Sequence, residues 1–264
     1  MYKLIVSDVD GTLVAEGTSC LNPQLLDYIK DLRKRGIYFA AVSGRAHDSV
    51  KFAFESVYDD IYVISDNGAY IYERGKILTS TVLEPDLFLQ LTGYLKDIPN
   101  VYVMVSSIEG GFTNCTDEKF NSWMEKGYGV SLHYDRELYL PDIHVSKLGI
   151  YCLEGDIYEI AAKWKEKFGS SVNIFIAGER WIDFLPKTVC KGNGVEWLQK
   201  YLEIDKSQTI AFGDQNNDIT MFSHAARGYA VSNAKEDVKA AASHVMDEGA
   251  ADDGVLHELR RIFG

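Results

Sequence analysis

Two aspartates, Asp8 and Asp10, stand one residue apart in "LIVSDVDGT" (residues 4–12), directly after an apolar run. Carboxylates at the exit of a buried strand repel unless a proton or a cation lies between them. A hard divalent cation with oxygen ligands relieves the repulsion. Mg2+ suits a sparse site that keeps water and shares a substrate phosphate. Further polar residues fall at comparable junctions far along the chain: Ser43 after a second apolar run, and Asp214 with Asp218 after "TIAFG". Lys191 differs in opening a helical pattern rather than closing a strand. In an open parallel sheet, ligands bind beyond the carboxyl ends of the strands, where such residues would meet.

The elements that must position them follow from hydrophobic spacing. Tyr2 to Ser7 reads as a strand buried on both faces. "LLDYIKDLRKRG" places Leu25, Leu26, Tyr28, Ile29 and Leu32 on one helical face, with Gly36 as the C-cap. "IYFAAVSGR" and "IYVISDNGAYIY" supply further strands, with Asn67 and Gly68 as a turn. After about Thr81 the rhythm changes. A helix over "EPDLFLQLTGYLKDI" carries Leu87, Leu91, Tyr94 or Leu95, and Ile98 on one face, and Asp156 with Glu159 suggests a capping box for a later helix. The first rhythm returns at "KGNGVEWLQKYL", where Val195, Leu198 and Leu202 can face a sheet. The expected fold is α/β, a Rossmann-like parallel-sheet core (residues 1–81 and 188–264) interrupted by an inserted α+β domain (residues 82–187).

Composition narrows the partners. The chain has 264 residues, 46% hydrophobic and 25% charged, with five prolines, an ordinary globular composition. It contains neither an eighteen-residue apolar run nor a basic segment leading into an apolar one, so a membrane span and a secretory signal are not expected and a cytoplasmic location is. A formal charge of -12 repels nucleic acid and anionic membranes, while leaving room for a small anionic substrate at a locally positive site. Cys20, Cys115, Cys152 and Cys190 form no CxxC pair and are expected as reduced thiols. The histidines show no HExxH spacing, which argues against zinc, and the first turn carries carboxylates rather than GxGxxG, which argues against a dinucleotide. Singly, each polar residue has a simpler reading as a turn, a cap or a solvated side chain. Their combination carries the chemistry.

That combination resembles the haloacid dehalogenase-like hydrolase superfamily, and within it the Cof-type phosphatases of subfamily IIB, which carry a large cap. "DVDGT", "SGR" (residues 43–45), "KGNG" from Lys191 and "GDQNND" (residues 213–218) match its successive motifs, "DNGA" (residues 66–69) matches a further segment, and the likeness covers essentially the whole chain. The resemblance implies Asp8 as the nucleophile that becomes an aspartyl-phosphate and Asp10 as general acid and then base. It implies Mg2+ held by the Asp8 carboxylate, the Asp10 main-chain carbonyl and Asp214, with Asp218 behind them. Ser43, Gly44 and Lys191 would contact the phosphoryl group, Asn217 would touch phosphate or hold the loop, and Gly11 and Gly44 would let backbone donors approach. Ser43 stands where many relatives have Thr, and Cys190 where Ser is frequent; neither threatens the chemistry.

Only 32 residues separate Asp10 from Ser43, so the inserted domain must lie between Ser43 and Lys191. By resemblance it is a cap expected to close over the nucleophile and exclude water. The implied activity is Mg2+-dependent hydrolysis of small phosphomonoesters, with sugar phosphates as the leading substrate class, by a monomer or weak homo-oligomer. Similar proteins also act on pyridoxal phosphate, flavin precursors and phosphorylated polyols. A phosphosugar mutase and a noncatalytic phosphoryl-ligand sensor are the alternatives. Lys147 and Arg180 are expected at the surface, and Trp181 in the core or hinge of the cap.

Overall fold

In this computed structural model, residues 1–15, 20–140 and 142–264 are described. The first part of the chain runs β1 (Leu4–Ser7), α1 (Pro23–Lys34), β2 (Tyr38–Val42), α2 (His47–Ala53), β3 (Tyr62–Ser65), β4 (Tyr70–Glu73) and β5 (Lys76–Ser80). The middle runs α3 (Pro85–Leu95), β6 (Val101–Ser107), β7 (Gly110–Thr113), α4 (Glu118–Tyr128), β8 (Leu132–Tyr134), β9 (Val145–Cys152), α5 (Ile157–Phe168), β10 (Val172–Ile176) and β11 (Trp181–Pro186). The last part adds α6 (Lys191–Leu202), β12 (Thr209–Gly213), α7 (Ile219–Phe222), β13 (Arg227–Ala230), α8 (Glu236–Ala241), β14 (His244–Val245) and α9 (Gly254–Phe263). Two compact units result, Met1–Thr79 with Cys190–Gly264, and Ser80–Val189.

The first unit is built on an eight-stranded sheet in the order β14-β13-β12-β1-β2-β3-β4-β5. Strand β1 pairs in parallel with β12 on one side and β2 on the other, β2 pairs in parallel with β3, and β3 pairs with β4 antiparallel. Leu4, Ile5 and Val6 have no exposed surface, as a strand covered on both faces requires. Fully burying each such side chain contributes about 1.5–3 kcal/mol. Asn22 caps α1 by accepting the Gln24 N–H at 2.8 Å, and Pro23 follows it at the first helical position. The helix buries Leu25, Ile29 and Leu32 and ends two residues before Gly36. The parallel register brings the carboxyl ends of β1, β2, β3 and β12 to one edge. This is an α/β, Rossmann-like architecture.

The second unit is α+β. Its six strands take the order β10-β11-β9-β6-β7-β8, antiparallel except for β7 with β8. One face packs α3 and α5 through Phe88, Leu91, Leu95, Trp164 and Phe168 onto Val103, Leu148, Ile150 and Phe184. The other carries Met104, Cys115 and Phe120, with Tyr102, Tyr151 and Trp181 against them. Helix α3 turns its expected face inward: Leu91 and Leu95 are buried, with Leu87 and Ile98 packed against the same core, while Phe88 and Thr92 are buried as well and Tyr94 is exposed. Leu87 and Phe88 are adjacent apolar residues, and spacing alone does not choose between them. Asp156 caps α5 by accepting the N–H groups of Tyr158 and Glu159. Lys147, expected at the surface, is 12% exposed and pairs with the buried Asp183 at 3.2 Å. Arg180 is exposed and donates to the carbonyls of Cys152 and Leu153. Among the described residues, no helix is long and apolar enough to cross a membrane.

Candidate active site

After β1 the chain turns sharply. The Val9 carbonyl accepts from Leu13 and Val14, the Gly11 N–H donates to Val14, and Asp8 is tied to the neighbouring strand by its N–H to the Phe212 carbonyl. Gly11 adopts φ +77°, and a Cβ there would lie 2.4 Å from Asp214 Oδ2, so only glycine fits this turn. Next to it, Thr12 Oγ1 donates to Asp214 Oδ1 at 2.7 Å. The turn after β1 and the loop after β12 are therefore interlocked, although 202 residues of sequence separate Thr12 from Asp214.

Helix α6 brings in the cation. Its N-cap is Cys190, whose Sγ accepts the Asn193 N–H at 3.4 Å. The cysteine thus does the capping that serine would do at this position. Lys191 follows as the first helical residue and is buried; its Nζ donates to Asp8 Oδ1 at 2.5 Å and to Asp218 Oδ1 at 2.6 Å. Asp218 Oδ2 accepts the backbone N–H groups of Asp214 and Gln215, both at 2.9 Å, so this carboxylate shapes the acidic loop as well as holding the lysine.

Carboxylate oxygens of Asp8, Asp214 and Asp218 lie within 4.8 Å of one another. Two of these buried carboxylates share the Lys191 ammonium, and the third, Asp214, stands beside them. Burial, then the charge of Asp218, pushes the Asp8 carboxyl well above its ordinary range, with Lys191 opposing them. Burial and Asp218 likewise push Asp214 up to about 6, against the Thr12 hydrogen bond and Lys191. For Lys191, burial favours the neutral amine, yet the charges of Asp218 and Asp8 outweigh it and the group is raised. Three carboxylates against one ammonium leave a surplus of negative charge. A hard divalent cation fits that surplus and this all-oxygen donor set.

Asp10 is treated differently. Its carboxylate faces Arg45, which donates Nε to Oδ2 at 2.8 Å and Nη2 to Oδ1 at 2.6 Å, a planar two-point pairing. The repulsion expected between Asp8 and Asp10 is thus answered by two cations of the protein's own, Lys191 and Arg45. Ser43, at the end of β2, is fully buried and its Oγ accepts the Arg45 N–H at 3.0 Å, with its own O–H the donor it can offer. Gly44 lies between them, beside the side chain of Asn67. Asn217, expected at phosphate, donates Nδ2 to Asn67 Oδ1 at 2.9 Å.

Asp8, Asp214, Asp218 and Lys191 therefore form one cluster, Asp10 and Ser43 meet at Arg45, and Asn217 joins Asn67. Sequence reasoning gave no role to Arg45 or Thr12 and read Asn67 as a turn residue alone. All three stand inside stretches it had singled out, "SGR", "DVDGT" and "DNGA". What it lacked was the pairing that makes each of them necessary.

The family model described as haloacid dehalogenase-like hydrolase matches residues 5–259. The chain is 27% identical over 262 residues to 5-amino-6-(5-phospho-D-ribitylamino)uracil phosphatase YbjI of Escherichia coli, covering 99% of this chain and 96% of that one. The solved structure of BT1666, a phosphatase of the haloalkanoate enzyme superfamily from Bacteroides thetaiotaomicron, superimposes with a TM-score of 0.79 at 25% identity, covering 99% of this chain and 95% of that one. The subclass IIB sugar phosphatase BT4131 shares the fold, with a TM-score of 0.83 at 21% identity and 98% of each chain covered.

Proposed function

The chain belongs to the haloacid dehalogenase-like hydrolases, as a Cof-type phosphatase of subfamily IIB with an inserted cap domain, and from that premise we propose that it hydrolyses small phosphomonoesters of sugars or sugar alcohols with Mg2+. The observation that carries the reading is the buried Lys191 ammonium shared by Asp8 and Asp218 beside Asp214, a cluster with more negative charge than the protein neutralises. Asp8, Asp214 and the main-chain carbonyl of Asp10 would hold Mg2+, with Asp218 behind them; when bound, the ion supplies positive charge to the phosphoryl oxygens.

In the first half-reaction, Asp8 attacks phosphorus with the oxygen that Lys191 does not hold, the bond from phosphorus to the leaving alcohol breaks, and Asp10 gives that oxygen a proton. Then Asp10 takes a proton from water, the water oxygen attacks phosphorus, and the Asp8 carboxylate leaves. Splitting the displacement in this way replaces one difficult step by two easier ones. Lys191 orients Asp8 and has a third N–H to offer a phosphoryl oxygen, and the Ser43 hydroxyl and the backbone at Gly44 add further donors. Arg45 occupies both oxygens of Asp10, so one of those bonds is broken while Asp10 carries its proton and can re-form once the proton is delivered.

The polyhydroxylated leaving group is supported by the relative whose name specifies a phosphoribityl chain. The test is phosphate release from hexose and pentitol phosphates, pyridoxal phosphate, nucleotides and p-nitrophenyl phosphate, with and without Mg2+, beside Asp8→Asn. Metal-dependent release strongest on sugar or polyol phosphates, and absent in Asp8→Asn, is the expected result. Preference for nucleotides or pyridoxal phosphate contradicts the substrate class, and release undiminished in Asp8→Asn contradicts the chemistry.

A further inference from the structure

The turn Asp66–Gly68, between β3 and β4, has no part in the steps above. Its three residues adopt left-handed φ values of +48°, +57° and +106° in succession. Two non-glycine residues in that region are uncommon, and such backbone persists only where its surroundings over-determine it. Those surroundings are the loops that carry the phosphoryl-handling groups. The Asp66 N–H donates to the Arg45 carbonyl and the Asn67 N–H to the Ser43 carbonyl, both at 2.9 Å. Gly68 backs onto the residue before Lys191, where a Cβ would lie 2.5 Å from the Cys190 carbonyl oxygen. Asn67 is 1% exposed, and its Oδ1 accepts Asn217 Nδ2 at 2.9 Å. The Oδ1 of Asn217 is buried with no hydrogen-bond partner among the described residues. One contact therefore sets which way the Asn217 amide faces, and Asn67 makes it.

We propose that Asn67 is a positioning residue of the phosphoryl-transfer site, which fixes the Asn217 amide and, through its turn, the loop of Ser43 and Arg45 and the start of the helix carrying Lys191. The proposal rests on the phosphatase reading. Its side chain acts through Asn217, and its backbone holds the spacing between donors that arrive from separate strands. Prepositioned donors act on the transition state, so their displacement lowers kcat more than it raises KM.

Asn67→Gly is the sharpest variant, because glycine adopts the left-handed backbone without steric cost and removes only the side chain. With p-nitrophenyl phosphate and saturating Mg2+, kcat is expected to fall about 10- to 100-fold, with KM within threefold and the melting temperature close to that of the wild type. Asn67→Asp keeps an acceptor for Asn217 Nδ2 and should retain more of kcat than Asn67→Gly. In Asn217→Ala the same Asn67→Gly change should cost less than threefold further, since the amide that Asn67 orients would be gone. An active wild type whose Asn67→Gly variant keeps kcat within twofold overturns the positioning role alone, as do losses that multiply in the double variant. A folded wild type that releases no phosphate with Mg2+ overturns the phosphatase reading and this role with it.

Discussion

The two sheets handle buried charge in opposite ways. In the first unit Asp8, Ser43, Arg45, Asp66, Asn67, Lys191, Asp214 and Asp218 are buried and meet near the carboxyl ends of β1, β2, β3 and β12. In the second, Thr92, Thr113, Ser146 and Asp183 are the buried polar residues among those described, and Asp183, paired with Lys147, is the charged one. Parallel strands deliver their carboxyl ends to one edge, whereas antiparallel neighbours alternate between two. Convergence of charge is thus a product of the first sheet's topology. It also creates the surplus of carboxylates that a cation can answer, whereas the Lys147–Asp183 pair is already balanced.

The comparison breaks most visibly if a lysine is removed from each sheet. Lys191→Met should lower kcat by about 10³-fold, and Lys147→Met should leave it within about tenfold, both read with p-nitrophenyl phosphate and Mg2+. Each deletion leaves a buried carboxylate without its cation, so urea unfolding should show a loss of about 3–5 kcal/mol in both. Equal kinetic losses would erase the distinction between the two sheets.

A smaller effect separates the two cations of the first unit. If Arg45 acts through Asp10, Arg45→Met should slow an alkyl phosphate by about 10²-fold, while p-nitrophenyl phosphate, whose leaving group scarcely needs a proton, loses less than tenfold. Equal losses on both compounds would assign Arg45 to fold or phosphate binding instead.

The smallest effect is on stability, and it is particular to the first unit. Asp8 is raised and Asp214 lies at about 6, so these carboxyls bind protons in the folded metal-free protein that they would release when unfolded. Their contribution to stability is therefore greatest below the ordinary carboxylate range and is lost as pH rises through their folded values. Mg2+ must displace those protons. The rise in melting temperature produced by Mg2+ should accordingly grow from pH 5 to pH 7. A rise independent of pH, or one that Asp214→Asn leaves intact, would remove Asp214 from the metal site.

Legibility in the sequence follows the same division. The strands of the first unit read from uninterrupted apolar runs, and Asp8, Asp214 and Lys191 read because each sits in a stretch of fixed wording beside a glycine or a helix start. Arg45 was harder: an arginine after "SG" has the same letters whether it meets solvent or clamps Asp10, and the difference is a contact across 35 residues. Asn67 was visible as a turn residue, but its bond to Asn217 spans 150 residues. In the second unit the lysine of "VSKLG" was expected at the surface, and nothing in its neighbours showed that Asp183 awaited it. Spacing reports local geometry, and buried pairing between distant residues has no local signature.

The central claim is that phosphate passes through a covalent bond to Asp8. Acid quench of Asp10→Asn after mixing with substrate and Mg2+, followed by peptide mass spectrometry, tests it most directly, because loss of the base should slow hydrolysis of the intermediate more than its formation when the substrate is p-nitrophenyl phosphate. A phosphoryl group on the peptide containing Asp8, formed on the time scale of nitrophenol release and absent when Asp8 is also replaced, is the predicted result. Nitrophenol release in the first turnover with no phosphoryl group on that peptide would contradict the account.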